Sequence, residues 1–193
     1  MKKINKKKKL FKNLLIIVFI LSVAYIFSGF RPTSQSAHKR LEKVHSYGPS
    51  KVVNTMVEKN KVYYLCQYDK WFSMDIVERK FYGVWGEKHF GEPKDNDKKK
   101  PIITNYTWGG NNGKITWVIW GVINNEEIKK LKLELHSKGE VKVIEKENIE
   151  DDMFLFTWED QESDYKINIK ALDETGEVLY DKRVTNNWDF VQR

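Results

Sequence analysis

Four histidines, seven tryptophans and several short acidic runs are the side chains of this 193-residue chain with most capacity for chemistry. His38 and His45 lie in a polar stretch, His89 in a loop-like segment, and His136 on the wet face of an alternating one. No two share a zinc-ligand spacing such as H-x₃-H, and the single cysteine, Cys66, has no second thiolate to complete a site. All four are expected to be solvated, and no metal or other cofactor is expected.

The acids read the same way. Asp95-Asn96-Asp97 opens like a calcium loop, but Lys99 and Tyr106 occupy the places of later ligands. Glu126-Glu127, Glu150-Asp151-Asp152 and Glu159-Asp160 fall at expected turns, where charge is solvated cheaply. A glycoside hydrolase would need two of them at a set separation, which spacing alone does not provide. There is no G-x-S-x-G and no phosphate-cradling glycine loop ahead of a helix. The expectation is a protein that is not an enzyme.

Tryptophan is the distinctive residue. A large, rigid, amphipathic ring stacks on sugars or grips a partner protein, but sheets also bury aromatics for packing. Trp117 and Trp120 are an odd number of positions apart, so in a strand they point to opposite faces. Trp117, Trp120, Trp188 and Phe190 are the candidate binding residues, with core packing as the competing use of the first two.

The basic excess is confined to one end. Residues 1–12 hold Lys2, Lys3, Lys6, Lys7, Lys8, Lys9 and Lys12 with no acid, and the rest of the chain has as many basic as acidic residues. A folded nucleic-acid-binding domain is therefore not expected. The uncharged run Asn13–Phe30 follows. As one helix it would rise about 27 Å, close to a hydrocarbon core of about 30 Å. Lysines ahead of it hold that end in the cytoplasm, where they also meet anionic lipid. The competing reading, a cleavable signal peptide, lacks a clean A-x-A site, and Arg31-Pro32 intervenes. The expected organisation is a Lys-rich cytoplasmic tail (1–12), a transmembrane signal-anchor (13–30), a juxtamembrane spacer (31–48) and an extracytoplasmic domain (49–193).

Pro49 to Asn60 reads as a short amphipathic helix, with Val52, Val53, Met56 and Val57 at helical spacing. From Lys61 the period becomes two: Val62, Tyr64, Cys66 and Tyr68 share a face, and Lys70–Trp85 alternates after a turn. Ile102–Trp108 and Lys114–Ile123 flank a Gly/Asn hairpin signal. Leu131, Leu133 and Leu135 alternate with charges, and Glu140–Glu147, Met153–Trp158, Tyr165–Leu172 and Glu177–Val184 follow as strands. The expected fold is mainly β: an antiparallel sandwich or strongly curved sheet, one short N-terminal helix, and a preceding transmembrane helix. Cys66 is expected to be a buried structural thiol.

Three segments carry a resemblance: Phe81-Tyr82-Gly83-Val84-Trp85, the run from Trp120 to Ile128, and the run from Ala171 to Tyr180. With the anchor ahead of them, they resemble a loose group of short membrane-anchored exported proteins of Gram-positive bacteria. The resemblance implies an N-terminal anchor and a β-rich extracytoplasmic domain, and it implies no catalytic residues. The functional expectation is a non-catalytic module at the outer face of a bacterial membrane, binding a protein partner. Cell-wall polysaccharide binding through exposed aromatics is the alternative, and a cell-wall hydrolase a more distant one.

Overall fold

A computed structural model of the chain describes residues 2–80, 83–111, 113–147, 152–161 and 165–184. It is mainly β, with antiparallel sheets and few helices. Two compact units divide it: residues 1–50, 56–64 and 75–91 form the first, and 51–55, 65–74 and 92–193 the second.

The first unit holds both helices, α1 (Lys2–Phe27) and α2 (Ser34–Val44). Helix α1 runs straight from the lysines into the apolar run and stops at Phe27, short of the expected Phe30. Gly29 takes a left-handed φ of 80°, and the Ser28 hydroxyl donates to the Tyr25 carbonyl as the last turn closes. Among the described residues, no helix is long and apolar enough to cross a membrane. The helical part of the uncharged run is Asn13–Phe27, about 22 Å at 1.5 Å per residue.

Helix α2 lies within the expected spacer. Its N-cap is a capping box: the Ser36 backbone N–H donates to Thr33 Oγ1 at 3.1 Å, and the Thr33 N–H donates to Ser36 Oγ at 3.2 Å. Ala37, His38, Leu41 and Glu42 form its buried face, and it packs on β4 (Trp85–Phe90). Thr33→Ala should therefore lower stability by about 1 kcal/mol in urea denaturation, with an unchanged midpoint contradicting the cap.

The expected helix at Pro49–Asn60 is instead strand β1 (Lys51–Glu58). Val52, Val53, Thr55 and Val57 are β-branched, and sheet pairing decides the conformation where the spacing alone fits a helix. Strands β2 (Lys61–Tyr68) and β3 (Trp71–Arg79) follow after tight turns in which Lys59 and Asp69 adopt φ of 53°. They form a sheet in the order β1-β2-β3-β4, with β5 (Lys94–Asp95) also paired to β3. Strand β4 pairs antiparallel with β3 from Asp75↔Phe90 to Arg79↔Trp85, with an irregularity between Ile76 and Val77. Cys66 is buried and outside any disulfide.

Within the second unit, β6 (Ile102–Asn111), β7 (Lys114–Ile123) and β10 (Met153–Asp160) make a three-stranded sheet in the order β10-β7-β6. A four-stranded sheet runs β12-β11-β8-β9 through β8 (Lys130–Ser137), β9 (Glu140–Lys146), β11 (Lys166–Leu172) and β12 (Val178–Val184). One core takes side chains from both. Leu131, Leu133, Leu135, Ile167, Ile169 and Ala171 come from the larger sheet, and Trp117, Ile119, Phe154, Phe156 and Trp158 from the smaller. The alternation expected of Leu131–Leu135 is what carries β8 into this core, with Lys130, Lys132, Glu134 and His136 on the outer face.

Candidate functional site

The cluster in the first unit with the most chemical capacity surrounds His38. Residues four apart on a helix share a face, so α2 presents His38 and Glu42 together. His38 is 3% exposed. Its Nδ1 lies 2.9 Å from Asp75 Oδ2, and its Nε2 lies 3.7 Å from Glu42 Oε1. Tyr64 stacks flat on the ring at 4.4 Å between centroids and donates its own hydroxyl to Ser34 Oγ at 3.0 Å. Glu42 Oε1 in turn accepts the Ser50 N–H at 2.9 Å and the Ser50 hydroxyl.

Asp75 is fully buried, and its Oδ1 has no hydrogen-bond partner among the described residues. Burial pushes its carboxyl above the ordinary range. The hydrogen bond and charge of His38 oppose that shift, and the nearby Glu42 reinforces it. Both imidazole nitrogens face carboxylates, and one ring face is covered by Tyr64. The arrangement fastens α2 onto β3 through a polar contact.

A second charged cluster lies on the surface of the same unit. Burial raises the Glu78 carboxyl, but contact with Lys80, together with Lys88 and Asn60, outweighs that and holds it below the usual range. Glu78 is partly buried, while Lys80 and Lys88 keep more of their length in water.

The chain matches no family model, no curated protein and no solved structure.

The expected binding residues have separate fates. Trp117 is 6% exposed and Trp120 is 4% exposed, so both belong to packing and neither is an open platform. They do face opposite sides of β7 as the odd spacing requires. Both sides are covered, because β7 is buried from Trp117 through Ile123. Trp117 stacks on Trp158 at 5.8 Å, with Tyr165 edge-on to both. Trp188 and Phe190 lie outside the described residues, as do Phe81 and Tyr82 of the resembling segments. Of the lysines 2–12, those with described side chains are exposed along α1.

Among the histidines, the expectation of solvation fails at His38. His45 is partly exposed beside Glu87 at 3.3 Å, and His136 lies on the outer face of β8 near Glu134. His89 is partly buried, which depresses its basicity. Two signals for the His38 cluster were present in the sequence. One is the i, i+4 pair His38/Glu42 after Thr33-x-x-Ser36, and the other is a lone acid, Asp75, inside the apolar run Phe72–Val77. What spacing did not provide was the strand that meets the helix.

An exposed aromatic that spacing did not single out is Trp108, 59% exposed near the end of β6 and paired across the strands with Trp117. Its indole lies 6.2 Å from that of Trp117. Gly109 and Gly113 beside it have nothing within 4 Å of a built Cβ, so the hairpin tip leaves the ring open.

Proposed function

We propose that the chain is a non-catalytic, membrane-anchored module whose β-rich part stands at the outer face of a bacterial membrane and binds a protein partner there. The observation that carries this reading is the surface of α1: Leu14, Leu15, Ile16, Ile17, Val18, Phe19, Ile20 and Leu21 are all exposed. A helix apolar on every side is unstable in water and belongs in a protein core or a bilayer. Among the described residues, no protein core covers this one.

The fifteen helical residues Asn13–Phe27 fall short of a full hydrocarbon core. Leu10 and Phe11 before them and Phe30 after them extend the apolar surface, and Lys12 is long enough to snorkel. The lysines ahead favour the cytoplasmic side for that end. Support for a binding role comes from the exposed indole of Trp108.

The test is alkaline extraction of membranes from cells making the full chain. The protein is expected to stay in the membrane pellet. The double substitution Ile17→Lys and Ile20→Lys, each costing roughly 2.5–3.5 kcal/mol at a bilayer centre, should release it. Release of the parent protein at alkaline pH would end the anchored reading.

Trp108 also supports the second reading, a cell-wall saccharide stacked on its open ring face. Retention on purified wall material that is lost in Trp108→Ala and competed by soluble glycan would favour it over a protein partner.

A further inference from the structure

The segment that follows the apolar helix is basic on its open side. Residues 31–44 hold Arg31, Lys39, Arg40 and Lys43 against a single acid, Glu42. That acid is turned inward, buried beside His38 and accepting from Ser50. With Ala37, His38, Leu41 and Glu42 forming the buried face of α2, Lys39 and Lys43, four apart, share the exposed one. Arg40 lies half-buried at the border between the two faces.

Where α1 ends, a cavity of about 260 Å³ opens, with Ser28, Gly29, Phe30, Arg40, Val44 and Glu87 in its lining. The Arg40 guanidinium is fixed there by its Nε, which donates to the Gly29 carbonyl at 3.3 Å. Its two terminal nitrogens have no partner among the described residues. Gly29 keeps one of them uncovered: a Cβ built on it, at a φ of 80°, would stand 3.2 Å from Nη2. Glu87 does not neutralise the cation, because its carboxylate turns to His45 Nε2 at 3.3 Å. Phe30 and Val44, both exposed, give the cavity an apolar rim. A guanidinium drawn partly out of water with its fork of donors unused is a site for an oxyanion, and phosphate oxygens match that fork in pairs.

We propose that this cavity binds the phosphodiester headgroup of an anionic phospholipid, with the terminal nitrogens of Arg40 donating to two phosphate oxygens. Lys39 and Lys43 on the open side of α2 supply further positive charge, and Phe30 and Val44 meet the apolar part of the lipid next to its headgroup. The inference rests on the anchored-module reading for its location. Ser28 directly follows α1, so the cavity lies at the level where an anchored chain leaves the hydrocarbon. Basic groups beside a membrane segment are drawn to anionic headgroups there. A free phosphate would use the same donors and gain nothing from the apolar rim.

The test uses the full chain purified in a neutral detergent and titrated with phosphatidylglycerol or phosphatidylcholine, with bound lipid counted by native mass spectrometry. Phosphatidylglycerol is expected to bind in preference to phosphatidylcholine, whose quaternary ammonium meets the basic side of α2. Arg40→Gln should weaken that binding about tenfold, the worth of one charged hydrogen-bonded contact, and Arg40→Lys should restore only part of it. If Arg40→Gln does not fold, Val44→Glu at an exposed position brings a carboxylate to the rim and should weaken binding by a similar factor. Binding indifferent to these substitutions, or equal for the two lipids, would overturn the site. Displacement of the lipid by inorganic phosphate at matching concentration would overturn the lipid in favour of a free anion. The titration in detergent reads the cavity whether or not α1 crosses a bilayer, and alkaline extraction reads the anchor. Arg40→Gln should still stay in the membrane pellet, so loss of one reading is distinguishable from loss of the other.

Discussion

Gly121→Ala should destabilise the second unit by about 3 kcal/mol or more, the upper end of what overpacking costs. A Cβ built on Gly121 lies 1.9 Å from the Ile103 carbonyl oxygen and 2.7 Å from Cζ of Phe154. Neither neighbour yields easily. Ile103 is held in the β6–β7 ladder, and Phe154, paired with Gly121 from the other side, is fully buried. For a chain of this size the cost corresponds to a fall in melting temperature of roughly 6–12 °C, readable from tryptophan fluorescence. Gly109→Ala on the same hairpin, with open space at its Cβ, should change the melt little. A Gly121→Ala protein melting within a degree of the parent would contradict the close packing of β7 between its neighbours.

His38→Ala should cost about 1–3 kcal/mol, the usual penalty for leaving a buried polar group without its hydrogen-bond partner. The imidazole is the group between Asp75 and Glu42, and without it two buried carboxyls lose their common neighbour. The pH dependence has a definite sign. Burial raises the Asp75 carboxyl in the folded protein above its unfolded value, His38 opposing. A raised group favours folding fully below the unfolded value, and that contribution is lost as pH rises through the folded one. Asp75→Asn removes the titration. The stability advantage of the parent over Asp75→Asn should therefore be largest at acid pH and shrink as pH rises past the ordinary carboxylate range. Urea midpoints of both proteins across that range check it, and an advantage that grows with pH would refute the assignment.

Legibility followed the strength of the local pattern. The hairpin Ile102–Ile123 was readable because Gly109 to Gly113 interrupts two alternating runs, and the pairing bears it out from Ile102↔Ile123 to Asn111↔Lys114. Leu131, Leu133 and Leu135 announced both the strand and its buried face. Val52 to Val57 misled because its apolar spacing fits a helix while its β-branched residues fit a strand, and only the neighbouring strand decides. Helix α2 was hidden by polarity: its buried face includes His38 and Glu42, which look solvated until Asp75 and Ser50 are brought to them. The tryptophan parity was legible, but whether each side of β7 is covered depends on what packs there, which spacing does not encode. Gly121 is required by the approach of the Ile103 carbonyl and Phe154, which spacing does not encode.

The central claim, an anchored chain with its β-rich part outside, is tested most directly by protease treatment of intact protoplasts making the full chain with a C-terminal tag. The account predicts that the tag is removed from intact protoplasts while a cytoplasmic control protein survives, and that the α1 fragment remains with the membrane. A tag that resists protease until the protoplasts are lysed would place the β-rich part inside and contradict it.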